Sequence, residues 1–299
     1  MRDRLPRILL LFFLVGLVAL LPFGQKAQSQ DGKSFLWKVQ SGESTVYLLG
    51  SIHFLKKENY PLSPKIENAF EASDRLVVEA NIQDQDKISI PQIMEKAIYP
   101  PDERISAHLS KETYELLKKE GARLGLPPEM TDRQRPWFLS MSLEALEILK
   151  LGYDPAYGVD SYFLSKASGK KTILELESVE EQLNLLANLS AQDQEFLLLL
   201  TLKDLQNVTR EMDSLIQSWK SGDPKGMEPV ITKSIKEDPR LSPVYEKLIY
   251  ERNRKMLSKI EEYLNGSGTY FVVVGAGHLI GEKGIIETLR RRGHRVEQL

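Results

Sequence analysis

TYFVVVGAGHLIG, residues 269–281, decides how this chain is read. Its apolar, β-branched run has the length of a buried strand. It then stops at Gly275-Ala276-Gly277-His278. An earlier stretch, TVYLLGSIHFL (45–55), repeats the arrangement with Gly50-Ser51-Ile52-His53. Two strands thus end in Gly-x-x-His, about 225 positions apart. Glycine at a strand end lets the backbone turn sharply and come close to a ligand or neighbour. With 19 glycines in 299 residues, two such hits among four histidines arise by chance at roughly the 2% level.

Working outward, FLWKV (35–39) and TVYLLG (45–50) read as strands around a tight turn at Ser41-Gly42. A helix is expected from Ser63 to Ala72, then a buried strand RLVVEAN (75–81). Pro91, Pro100 and Pro101 break up the polar stretch that follows. Residues from about 110 to 264 read as mostly helical, with start signals at Ser110, Ser190 and Ser242-Pro243. One strand, KTILELE (171–177), interrupts them after Gly169. A short helix (283–291), Gly293 and HRVEQL close the chain. Strands clustered at both ends predict an α+β (α/β-like) domain over 30–299. Its central mixed sheet combines N- and C-terminal strands, with flanking helices and a largely helical insertion at about 86–265.

Four of these strands carry a metal-competent side chain to their carboxyl ends: His53, Glu79, Glu177 and His278. In open sheets with parallel strands, that edge is where ligands bind. Two imidazoles with one or two carboxylates suit Zn²⁺, Mn²⁺, Fe²⁺ or Co²⁺ better than Mg²⁺ or Ca²⁺. Glu175, in the same strand as Glu177, has the weaker case.

A second signal is independent of the strands. In SPVYEKLIYERNRKMLSKIEEYLN (242–265), helical spacing collects Tyr245, Leu248, Ile249, Met256, Leu257, Ile260, Tyr263 and Leu264 on one stripe. Arg252 and Asn253 interrupt it. A buried charge needs a partner, so Arg252 is either a structural clamp on a carboxylate or a group that grips substrate or a developing oxyanion, with Asn253 in support. His108 and His294 read as surface residues. Gly-x-Ser-x-Gly and His-Glu-x-x-His are absent, and Ile280 breaks the Gly-x-Gly-x-x-Gly spacing.

The N-terminus has its own logic. Arg2, Arg4, Arg7 and Lys26 stand against Asp3 alone, so the formal −2 of the whole chain leaves the rest more acidic. That argues against nucleic acid as a partner. The basic start, ILLLFFLVGLVALLPF (8–23) and the small-x-small Ala27-Gln28-Ser29 predict a signal peptide over 1–29. At about 1.5 Å per residue the apolar run reaches roughly 24 Å, short of a hydrocarbon core; an uncleaved anchor is the alternative and would be the chain's only link to a membrane. Export to a periplasmic or extracellular location is expected. The chain has no cysteine, which removes disulfides, thiol nucleophiles and thiolate metal sites.

With these residues in place, the sequence resembles the TraB/PrgY/GumN family, which includes the animal Tiki proteases. The resemblance runs over about 35–299. FLWKVQSGESTVYLLGSIHF, VVEAN, YGVDSYFLSKASGKKTILELES, ERNRKM and TYFVVVGAGHLIGEKGIIETLRRRGHRV carry it. The family's two Gly-x-x-His motifs and its glutamate match His53, His278 and Glu79. Its Gly-Val-Asp, Leu-Glu-Ser/Thr and Glu-Arg-Asn segments match Asp160, Glu177, Arg252 and Asn253. The resemblance implies a peptidase-like hydrolase acting on a peptide or protein with one divalent metal (Mn, Co, Zn or Fe). His53 and His278 would hold the metal, with Glu79 as third ligand or base. Arg252 and Asn253 would assist the chemistry, and Glu177, Asp160, Gly50 and Gly275 would support the site or the substrate. The rival expectation is a non-catalytic protein that sequesters a peptide or an iron or haem ligand in the same cleft.

Overall fold

The computed structural model describes residues 32–84 and 89–299. The expected signal peptide at 1–29 lies outside the described residues. Six strands form one mixed sheet: β1 (Leu36–Ser41), β2 (Ser44–Ser51), β3 (Arg75–Val78), β4 (Thr172–Glu175), β5 (Gly268–Gly275) and β6 (Val296–Gln298), in the order β4-β3-β5-β2-β1-β6. The first four in that order run parallel, and β1 is antiparallel to both β2 and β6. The expected α+β architecture is therefore present, with the sheet drawn from both ends of the chain and β4 from the middle.

β5 is central and paired with a parallel strand on each side. A strand buried on both faces has no solvent side to fill with polar residues. FVVV, with every residue fully buried, meets that demand. Gly42 takes the positive φ (54°) that the turn between β1 and β2 requires.

Phe271 and Tyr270 are consecutive and so face opposite sides of the sheet. On one side Phe271 meets Phe70 and Phe163, with ring centroids 4.8 to 5.5 Å apart. Those rings come from the helices Pro64–Glu71 and Val159–Ala167. On the other side Tyr270 stacks on Tyr263 (4.6 Å, 14°) of the helix Glu251–Leu264. The helical middle also has a core of its own, where Leu117, Leu124, Leu139, Leu143, Leu198 and Leu202 pack together.

Ser63, Ser110 and Ser190 cap their helices, each side chain accepting a backbone N–H from the first turn. Two local expectations are refined. RLVVEAN pairs as a strand only to Val78, because Asn81 N–H turns away to the Glu175 carboxylate (2.7 Å). The long helix expected from Ser242 is a short α turn (Ser242–Tyr245), a π-helical stretch (Glu246–Tyr250) and then the helix Glu251–Leu264. No helix among the described residues is long and apolar enough to cross a membrane.

Candidate active site

β2, β3, β4 and β5 point their carboxyl ends to the same edge, and His53, Glu79, Glu177 and His278 gather there. The register aligns Ser51 with Gly275 and Val78 with both Val273 and Glu175. The chain therefore turns off all four strands at nearly the same level.

Gly275 is the floor of the site. A methyl group built on it would lie 3.1 Å from Glu79 Oε1, 3.5 Å from His278 Cδ2 and 3.7 Å from His53 Nε2. The two Gly-x-x-His histidines thus meet over one glycine. Gly50 answers a different constraint: a methyl group there would fall 2.5 Å from the Phe35 ring. Its carbonyl accepts the Trp219 indole N–H (2.6 Å), which ties the end of β2 to the helix Val208–Lys220.

Each histidine is oriented through its Nδ1. His278, in the turn Ala276–Leu279, is 5% exposed. Its Nδ1 donates to Asn253 Oδ1 (2.6 Å), and Asn253 Nδ2 donates to the Lys283 carbonyl (3.1 Å). That second bond fixes the amide, so His278 carries its proton on Nδ1 and keeps a lone pair on Nε2. Burial pushes its pKa down to about 4, against the opposing pull of Glu79. His53 donates from Nδ1 to Asp160 Oδ2 (2.7 Å). Asp160 arrives there because Val159 N–H donates to the Ile52 carbonyl and Gly158 packs directly on the His53 carbonyl, where a Cβ would fall 2.3 Å away. The Asp160 charge raises the His53 pKa, to about 9. With the side chain 60% exposed, solvent screens that effect.

Arg252 realises the clamp. Its Nη2 reaches Glu79 Oε2 at 2.8 Å and Glu177 Oε2 at 2.9 Å, Nε donates to Glu177, and Nη1 donates to the Leu248 carbonyl. Leu248 lies in the π-helical stretch, so the irregular turn supplies the carbonyl that holds the guanidinium. Glu79 and Glu177 are side by side because Glu177 N–H donates to the Glu79 carbonyl (2.7 Å), one step beyond the strands. Both carboxylates are nearly buried. Burial alone would favour neutral Glu79, but His278, Arg252, His53 and the Gly275 N–H together hold it down at about 2.

Glu79 Oε1 stands 3.7 Å from His278 Nε2. Among the described residues no three His, Cys, Asp or Glu side chains stand together as a metal-binding group. What the site offers a divalent metal is His53 Nε2 and the His278 ring over one glycine, with each ring fixed by a partner on its Nδ1. Metal-ligating histidines are usually held that way, and the donor chemistry fits the group expected from sequence. His108 stacks on Tyr99 (4.1 Å) and bonds Glu103, and His294 lies near Glu261; both are remote from these residues in their contacts. Glu175 serves structure by capping Asn81. Two participants escaped the sequence reading: Trp219, for which nothing local gives a signal, and Gln182, which bonds both Glu79 and Glu177.

The linkage between charge and stability has a clear sign. His278 is depressed from 6.5 to about 4, so its contribution is present above 6.5 and lost as pH falls through 4. Glu79, depressed from 4.5 to about 2, contributes above 4.5 and loses that as pH falls towards 2. His53 runs the other way, contributing below 6.5 and losing it as pH rises through 9, but weakly because it is exposed. Metal-free protein is expected to hold its thermal midpoint near neutrality and lose it in two acid stages. A His278→Asn variant, measured from pH 8 to pH 3, should lack the first stage.

The glycines give a paired prediction. Gly275→Ala should keep the fold but push Glu79 and His53 apart, weakening any ligand they share. Gly50→Ala should instead cost about 1–3 kcal/mol through overpacking against Phe35. Urea unfolding separates the two.

The description TraB/PrgY/gumN family belongs to a family model that matches residues 35–298. Uncharacterized protein YbaP of Escherichia coli is 27% identical over 252 residues, covering 83% of this chain and 89% of that protein. Metalloprotease TIKI1 of Danio rerio is 25% identical over 318 residues, covering 89% of this chain and 63% of that protein. A metalloprotease TIKI homolog of Nematostella vectensis is 24% identical, with 88% and 66% covered. No solved structure matches the chain.

Proposed function

We propose a metal-dependent peptidase on this premise: the chain belongs to the TraB/PrgY/gumN family. The observation that carries the reading is the convergence of His53 Nε2 and His278 beside Gly275 and Glu79. Relatives named metalloproteases support it, although this chain spans less than two thirds of the Danio rerio protein.

A divalent metal (Mn, Co, Zn or Fe), held by His53 and His278, would supply Lewis-acid polarisation of a peptide carbonyl and of water. Every other part belongs to the chain. Asp160 and Asn253 hold the two rings so that Nε2 of each faces the site. Arg252 keeps Glu79 ionised, and by gripping Glu177 with the same guanidinium it holds both carboxylates in place. Glu79 Oε1, beside His278, is the acceptor for a proton leaving the attacking water, or the third ligand. Because Asp160 favours a charged His53, that ring would have to lose its Nε2 proton before it could hold a metal, so metal affinity would rise with pH. The helical middle forms the substrate wall, and export by the N-terminal segment places the activity in the periplasm or outside the cell.

The test uses the chain from residue 30, loaded with each of the four metals and incubated with a peptide library. Fragments under at least one metal, abolished by a chelator, are expected; intact peptides under all four would sink the reading. The second reading, a protein that sequesters a peptide or a haem ligand, draws on the lack of a three-donor group among the described residues. A Soret band on haem titration, without cleavage, is its signature.

A further inference from the structure

Gln182 belongs to none of the quoted motifs. It lies in the first turns of the helix Val179–Ala187, whose start is set by a reciprocal cap: Glu181 N–H donates to Ser178 Oγ (3.1 Å) and Ser178 N–H to Glu181 Oε2 (2.7 Å). Ser178 follows Glu177 directly, so this cap decides where Gln182 falls relative to that carboxylate. Gln182 Nε2 donates to Glu79 Oε2 (3.3 Å) and to Glu177 Oε2 (3.2 Å). Ionised carboxylates only accept, so the amide must present its NH₂ to both and its orientation is unambiguous.

The same two oxygens receive Arg252 Nη2. Two carboxylates brought together by neighbouring backbone repel unless donors lie between them. Arg252 approaches from the helix Glu251–Leu264 and Gln182 from the helix Val179–Ala187, so donors from two helices share the task. With Oε2 held by both, the other oxygen of Glu79 is left to the Gly275 N–H and to the side facing His278.

We infer that Gln182 is a positioning residue that sets the rotamer of Glu79, and through it the geometry of the proposed reaction; this rests on the peptidase reading. It acts on Glu79 and Glu177 and touches no substrate.

The experiment compares Gln182→Leu, which removes the donor, with Gln182→Glu, which keeps the length but replaces the donor by an acceptor. Peptide cleavage by the metal-loaded chain should show kcat down about 10–100-fold in both variants, the value of a hydrogen bond to a charged group. KM should stay within about twofold, because substrate is not touched. Wild-type kcat in the folded Gln182→Leu variant would overturn the inference, since leucine cannot donate. A second readout needs no catalysis: the Gln182 side-chain amide resonance of the metal-free protein, identified by its loss in Gln182→Leu. Slow exchange with solvent and a shift in Glu177→Gln support the inference, whereas a solvent-like signal indifferent to that change overturns it. Wild-type protein that takes no metal and cuts nothing defeats the peptidase reading, while the resonance still decides whether Gln182 holds the carboxylates.

Discussion

His53→Ala and His278→Ala are each expected to abolish metal retention and metal-dependent cleavage, by roughly 10³-fold or more, with the fold intact. The loss is large because, in the proposed reaction, several kcal/mol of transition-state stabilisation would depend on the metal, and each 1.36 kcal/mol is a factor of ten. The fold should survive for different reasons in the two cases. His53 is 60% exposed and supports no core packing. His278 is buried, and His278→Ala frees Asn253 Oδ1 and removes the ring beside Glu79 Oε1, but the Asn253 amide stays anchored on the Lys283 carbonyl and Glu79 stays on Arg252. Elemental analysis beside circular dichroism reads both effects. Asp160→Asn and Asn253→Ala act one step further out and should cost about 10–100-fold in metal affinity. Equal metal content in wild type and the two alanine variants would end the proposal.

Removal of Arg252 should have the largest effect on stability. Arg252→Met leaves Glu79 and Glu177 buried and mutually repelling, and breaking a buried pair in this way costs about 3–5 kcal/mol. For a domain of this size the thermal midpoint should fall by about 10 °C. Activity should disappear as well, since Glu79 is no longer held as a carboxylate. The triple variant Arg252→Met/Glu79→Gln/Glu177→Gln is the control. With the charges gone it should regain most of the lost stability and none of the activity. A single Arg252→Met variant as stable as wild type would show that the clamp is not a buried ion network.

Much of this arrangement was legible in the residues. The alternation of polar loop and apolar run marked the strands, and FVVVG read as a buried one because a strand covered on both faces has no solvent side to fill with polar residues. The side chains at strand ends were legible for the same reason: parallel strands share an edge, so four carboxyl ends become one site. Arg252 was visible as a charge in an apolar stripe, and its partners proved to be the two strand-end glutamates. Other features left no trace. The π-helical stretch at Glu246–Tyr250 is set by what the turn packs against, and the 3.6-residue period carries no mark of it. Half-buried Leu248 and Ile249, beside fully buried Met256 and Ile260, show where the stripe slips. Trp219 reaches Gly50 across 169 positions, a pairing that only the tertiary fold creates. Gln182 was closer to readable, since the Ser178–Glu181 cap follows Glu177, but a surface-like glutamine gives no reason to look.

The pairing of β2 with β5 has a consequence for the life of the chain. The first Gly-x-x-His corner lies at residues 50–53, but its counterpart at 275–278 is made about 225 residues later. The two strands lie next to each other in the sheet, so the central ladder stays open until β5 has been made and is in place. A nascent chain that has not yet reached β5 therefore holds only half of the proposed centre. For the proposed hydrolase, late closure of this kind would act as a zymogen does, with the synthesis of β5 in the role of the activating cut.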